Sequence, residues 1–197
     1  MFCKNRIILY TFILLTIVHS KDKKGPGPLV GSNAKFWSLK TQEGKFEKLN
    51  YYTAKRNAKW NSDRDRKVLV MSFFASWCQP CIKEIAELET LQEQLDGEPI
   101  QFFLINITEY FRSRYKDEKM YQDAQDATEL LERKGLTKIT MLNDPNGRAA
   151  RAYGVDNVLP RLFVIDKYNT IKLDETGLCS SCLVDDVEPL LRTLIRE

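Results

Sequence analysis

Histidine is almost missing from this chain. The one present, His19, sits in an N-terminal stretch with the pattern of an export signal. Ser/His and Cys/His catalysis are thereby excluded from the remainder, as is any metal site built on imidazole. An excess of one charge is also lacking: 30 Lys and Arg face 27 Asp and Glu, a net of +3 without a concentrated block. So weak a balance argues against nucleic acid as a partner. No apolar run reaches the roughly 20 residues of a membrane-spanning helix. What remains is 197 residues, 43% hydrophobic and 29% charged, the composition of a globular chain long enough for one buried core.

The first residues stand apart. "MFCKNR" carries Lys4 and Arg6, an uncharged apolar run extends from Ile7 to Val18, and Val18 and Ser20 suit the positions three and one before a signal-peptidase cut. Residues 1–20 are expected to be a cleaved signal, with an uncleaved anchor over 7–18 as the alternative; only the anchor would put the protein on a membrane. Cys3 precedes the run, so it is not placed as a lipoprotein cysteine. Cleavage would lower the net charge to +1 and leave four of the five cysteines, as Cys78/Cys81 and Cys179/Cys182. The expected location is periplasmic or secreted, where thiols oxidise unless something keeps them reduced. "KDKKGPGPLVGSN" reads as a flexible linker over 21–33, and the domain is expected over 34–197.

Within that domain, "KFWSL" and "GKFEKL" suggest short strands around a turn at Glu43–Gly44, and residues 50–66 a polar excursion over the surface. "KVLVMSFFA" and "IQFFLINI" are continuous apolar runs, as expected of strands buried on both faces. Between them Ile82, Ile85, Leu88, Leu91 and Leu95 keep helical spacing, and Gly97 and Pro99 end the helix. Residues 117–134 are helix-compatible up to Gly135. "KITML" suggests a strand, "DPNGRAARAYGV" a short helix, "RLFVID" with "TIKLDE" a hairpin, and "VEPLLRTLIR" a final helix capped by Asp185 or Asp186. The alternation predicts an α/β fold with a mixed central sheet flanked by helices on both faces.

Cys78 follows directly on a buried strand and opens a helix. The positive end of the helix and its unsatisfied N–H groups stabilise a thiolate there, and the thiolate is the nucleophile in disulfide exchange. Cys81, one turn on, is placed to resolve a mixed disulfide. Pro80 fits the first turn, where a missing N–H costs nothing. Trp77 is expected to cover the site. Two buried core cysteines, or half of a zinc site, are the blander alternatives.

With strand, Trp, C-x-P-C and helix together, the sequence resembles the thioredoxin superfamily, and within it the TlpA/ResA-like exported thiol–disulfide oxidoreductases. "VLVMSFFASWCQPCIKE", "INITE" and "DPNGRAARAYGVDNVLPRLFVID" carry the resemblance, which covers roughly residues 34–196. It implies a thioredoxin-like fold, Pro160 as a cis-proline beside the cysteines, and the backbone of Leu159 as a pairing edge for an extended substrate. It also implies Glu109 as a proton-transfer group whose pKa rises through burial near the cysteines. No cofactor or metal is expected. The implied partners are protein disulfides, for example those of cytochrome c maturation, and a membrane or soluble thiol electron donor.

The chain also departs from the pattern. Ser72 stands where thioredoxin has a buried aspartate, Ala86 where many relatives have a proline, and Arg161 where a small residue usually follows the cis-proline. Arg161 is expected either to position acidic partners and lower a cysteine pKa, or to be an ordinary solvated arginine. "LCSSC" should emerge near Cys78, since the last strand runs back toward that end of the sheet. Three readings of Cys179/Cys182 stay open. They are a second redox pair, a structural disulfide of about 2 kcal/mol, or half of a four-thiolate zinc site. Against an enzyme that reduces, oxidises or isomerises disulfides stands a non-catalytic module docking through "NYYTAKRNAKW". A peroxidase lacks its expected Pro/Thr context here.

Overall fold

The computed structural model describes residues 27–60, 65–155, 158–178 and 183–197. Seven strands form one mixed sheet: β1 (Ser38–Thr41), β2 (Phe46–Lys48), β3 (Val68–Phe74), β4 (Ile100–Asn106), β5 (Thr140–Asn143), β6 (Arg161–Ile165) and β7 (Ile171–Thr176). Their spatial order is β2-β1-β5-β4-β3-β6-β7. β3, β4 and β5 are mutually parallel, and the strands outside them join antiparallel. β3 is central and buried along its whole length, as its unbroken apolar sequence requires.

Six α-helices complete the fold among the described residues: α1 (Gln79–Gln94), α2 (Thr108–Arg114), α3 (Lys119–Gln122), α4 (Ala127–Lys134), α5 (Arg148–Ala152) and α6 (Glu188–Leu194). On one face of the sheet α1 buries Cys81, Ile85, Leu88 and Leu91. On the other, Tyr153 at the end of α5 packs against Phe73 and Phe163, while Trp37 and Tyr52 meet Phe103 edge-on. The surface excursion thus returns to the core: Tyr52 is 5% exposed and its hydroxyl donates to Glu47 at 2.6 Å.

Two expectations about helices need correction. The polar run 117–134 is not one helix; it breaks into α3 and α4, because Asp126 caps α4 by accepting the N–H groups of Thr128 and Glu129. Asp185 and Asp186 do not cap α6: a π-helical turn, Leu183–Val187, runs straight into it, and no side chain caps the junction. The sequence pattern also gives no element for α2, which forms directly after β4.

Residues 27–33, assigned to the linker, lie against β7. Gly31 N–H donates to the Ile171 carbonyl, Ile171 N–H to that of Ser32, and Leu29 N–H to the Asp174 carboxylate. Gly27 lies so close that a Cβ there would be 2.0 Å from the Asp174 carbonyl oxygen. The signal-like residues 1–20 fall outside the described residues.

Candidate active site

β3 ends at Phe74 and the chain turns through Ala75, Ser76 and Trp77 into α1. Cys78 is the N-cap: its Sγ accepts the Cys81 N–H at 3.2 Å, with Pro80 in the first turn. The two cysteines are joined as a disulfide, their Cα atoms 5.3 Å apart. They differ in access. Cys78 is 4% exposed and Cys81 0%, so an incoming thiol or disulfide can meet only the Cys78 sulfur.

The loop before Cys78 is anchored from β4 and α2. Ser76 N–H donates to Thr108 Oγ1 at 2.9 Å, Ser76 Oγ donates to the Gln125 carbonyl at 2.6 Å, and Thr108 Oγ1 donates to Asn106 Oδ1 at 2.7 Å. Trp77 is half-buried and meets the edges of Phe111 and Tyr121 at centroid distances of 5.3 and 5.1 Å. The indole is held by α2 and α3 rather than by the cysteine loop alone.

Leu159–Pro160 is a cis peptide. Antiparallel pairing of Phe73 with Arg161 sets Pro160 beside the end of β3, at the mouth of the cysteine loop, and its carbonyl accepts Gly177 N–H at 2.8 Å. Leu159 and Pro160 are both buried. The chain therefore leaves β7 next to the cis-proline. Cys179 and Cys182 themselves lie outside the described residues.

Two expected roles do not match the geometry. Arg161 is neither a solvated arginine nor a free positive charge: its Nε donates to Asp174 Oδ1 at 2.6 Å, and it also bonds Thr176 Oγ1. Its side chain is 12% exposed and that of Asp174 is 0%, so the pair is an internal ion pair with little charge left for a partner. Glu109 is not buried. It lies in the first turn of α2, half exposed, and bonds Arg112, whose guanidinium also reaches the carbonyls of Tyr121 and Ala124. The expected burial beside the cysteines is absent.

The buried carboxylate of this region is Glu84, 3% exposed. It lies one turn beyond Cys81 on the same face of α1, and Ser72 Oγ on β3 donates to its Oε1 at 2.6 Å. Burial pushes its pKa up to about 7, with a small further push from Glu87, while the serine hydrogen bond pulls the other way. The signal for Glu84 was in the sequence: Cys81, Glu84, Ile85 and Leu88 are spaced i, i+3, i+4, i+7, so the carboxylate interrupts the buried stripe. The nearby Glu89, also buried, accepts Lys138 N–H and serves as an anchor for the loop before β5.

Comparison with known proteins agrees with this picture. Over 182 residues the chain is 26% identical to the thiol-disulfide oxidoreductase ResA of Geobacillus thermodenitrificans, covering 88% of this chain and 89% of that one. It is also 26% identical to the thioredoxin-like protein YneN of Bacillus subtilis, over 66% of this chain and 69% of the relative. Among solved structures, one from Chlorobium tepidum named as a thiol:disulfide interchange protein DsbE superposes with a TM-score of 0.62. It is 23% identical and covers 84% of this chain and 97% of its own. That likeness establishes the thioredoxin-like fold. The enzyme class expected from the sequence, a thioredoxin-like thiol–disulfide oxidoreductase, is the class its ResA relative carries. The AhpC/TSA family model matches residues 30–173, most of the chain, and the protein belongs to that family in its thioredoxin-like form.

Proposed function

We propose that the protein is an exported reductant of protein disulfides. The observation that carries the chemistry is the asymmetric pair: Cys78, at a helix N-terminus, keeps 4% exposure, and Cys81 is fully buried on the face that holds Glu84. In the dithiol form, the helix end and the Cys81 N–H favour the Cys78 thiolate. That thiolate attacks one sulfur of the substrate disulfide, forming a mixed disulfide and expelling the other sulfur as a thiolate. Glu84, as carboxylate, takes the Cys81 thiol proton. The Cys81 sulfur then attacks Cys78, closing the enzyme disulfide and releasing the second substrate thiol. Two electrons pass from enzyme to substrate, and a membrane or soluble thiol donor restores the dithiol. The backbone of Leu159 before Pro160 gives an extended substrate segment its pairing edge, and Trp77 shields the adjacent wall. Export rests on the N-terminal signal pattern.

Cys81→Ser should accumulate a mixed disulfide through Cys78 with a disulfide substrate, whereas Cys78→Ser should form none. Direction follows from the potential of the Cys78/Cys81 couple in a glutathione or dithiothreitol series read by thiol mapping. A value near roughly −270 mV supports the reductant, and one near roughly −120 mV makes the protein an oxidant. Comparison with Cys179→Ser/Cys182→Ser in the same titration assigns the second pair. A shifted Cys78/Cys81 potential puts "CSSC" in the electron path, and an unmoved one makes it structural.

A further inference from the structure

Ser72 is the one polar side chain in a strand otherwise made of Val, Leu, Met and Phe, and it is 1% exposed. Nothing about packing asks for a hydroxyl there. Its cross-strand neighbours, Leu104 on β4 and Leu162 on β6, are both buried and apolar. The hydroxyl instead donates to Glu84 Oε1 at 2.6 Å, across the gap between the sheet and α1. A carboxylate gains more from such a donor than a neutral carboxyl group does, since bonds to charged groups are the stronger ones. The donor therefore favours the ionised form.

We propose that Ser72 is a positioning residue for proton transfer, holding Glu84 in orientation and setting the pH at which Glu84 can accept the proton of Cys81. The inference rests on the reading of Glu84 as that acceptor. The charged and titratable groups around the pair are few. Lys83 and Glu87 on α1 are exposed, and Glu87 disfavours ionisation of Glu84 slightly. The π-helical turn packed on α1 carries Asp185 and Asp186, both exposed. Glu175 on β7 shares the Ser72 face by the Ser72–Leu162–Glu175 row, two strands away. Arg161 and Asp174 belong to the rows of Phe73 and Met71, and so to the opposite face of the sheet. No cation among the described residues offsets the charge of Glu84, which leaves the serine hydroxyl as the group that makes ionisation accessible. The opposing directions at Glu84, burial up and Ser72 down, agree with this division of labour.

The test uses the full chain with Ser72→Ala and Ser72→Thr. Two midpoints are followed: titration of the Glu84 side-chain carboxyl carbon by NMR in the oxidised protein, assigned by its loss in Glu84→Gln, and the pH dependence of mixed-disulfide resolution by Cys81 in single turnover. In Ser72→Ala both midpoints should move to higher pH, by about one unit. In Ser72→Thr, which keeps the hydroxyl, both should return to the wild-type position. An unmoved carboxyl titration in Ser72→Ala overturns the proposal. A carboxyl titration that moves while the resolution profile stays fixed overturns the catalytic half and removes Glu84 as the acceptor, leaving only the Ser72–Glu84 bond. If Ser72→Thr fails to restore the midpoints of Ser72→Ala, the hydroxyl is not the cause, and the proposal falls.

Discussion

Glu84 ties the stability of the fold to pH through a single proton. Its carboxyl group holds that proton up to about pH 7 in the folded chain, against an ordinary value of 4.5. Below pH 4.5 folded and unfolded chains are both protonated there, and the neutral group carries no penalty. Between 4.5 and about 7 the folded chain keeps a proton the unfolded chain has lost, so stability falls as pH rises through that window. Above it the loss is complete, about 3 kcal/mol. Glu84→Gln stays neutral and should lack this slope. Urea denaturation of oxidised wild type and variant from pH 4 to 8 checks it: the curves should diverge upward in pH, with the variant the more stable at the alkaline end. Parallel curves would mean that Glu84 ionises freely when folded.

At the scale of elements, α5 starts at a point of enforced contact. Gly147, its N-cap, has φ of +61°, and a Cβ there would lie 2.3 Å from the ring of Tyr110 on α2. Asp144 completes the start by accepting the N–H groups of Arg148 and Ala150. Gly147→Ala combines a left-handed backbone with an overfilled contact and should cost about 2–4 kcal/mol, read as a lower thermal midpoint. A change below about 0.5 kcal/mol, the ordinary scatter of surface substitutions, would show that Tyr110 moves aside freely. The aromatic cluster of Trp77, Phe111, Tyr115 and Tyr121 is the other device at this scale. It fixes α2 and α3 against the cysteine loop, and it gives a physical reason for Trp77 to stand before Cys78.

Across the whole molecule, Asp174 joins three distant segments. It pairs with Arg161 after the cis-proline, accepts Leu29 N–H from the N-terminal arm, and belongs to β7. Removing it would leave the Arg161 guanidinium without its buried partner, a loss of about 3–5 kcal/mol. Asp174→Ala should also release the arm, so amide exchange at Leu29, Gly31 and Ser32 should quicken ahead of the sheet. If those amides keep their protection, the backbone bonds to Ile171 hold the arm unaided.

Much of this was legible in the one-dimensional pattern. Continuous apolar runs mark β3 and β4, because a strand covered on both faces has no polar side to show. The Trp-Cys-Gln-Pro-Cys segment places a cysteine at a helix start because each residue there has a local reason, from the N–H groups at the helix end to the proline in its first turn. Those local reasons carry the α/β class, Cys78 and Cys81, while the cis-proline Pro160 followed from the family resemblance. What pairs with what was not local. The stripe of Cys81, Ile85 and Leu88 sets Glu84 on the buried side of α1 but does not say what it meets there; that depends on α1 laying this face on β3, which brings Glu84 to Ser72 and leaves Glu109 beside Arg112 in water. Nor does any neighbour of Arg161 in the chain reveal Asp174, thirteen residues away and across a hairpin. The sequence by itself determined the central strands, α1 and the cysteine that opens it, since these follow from short-range periodicity and backbone chemistry. Only the tertiary structure decided which carboxylate is buried against Ser72 and which aspartate pairs with Arg161, because burial and charge pairing are properties of faces that meet in space.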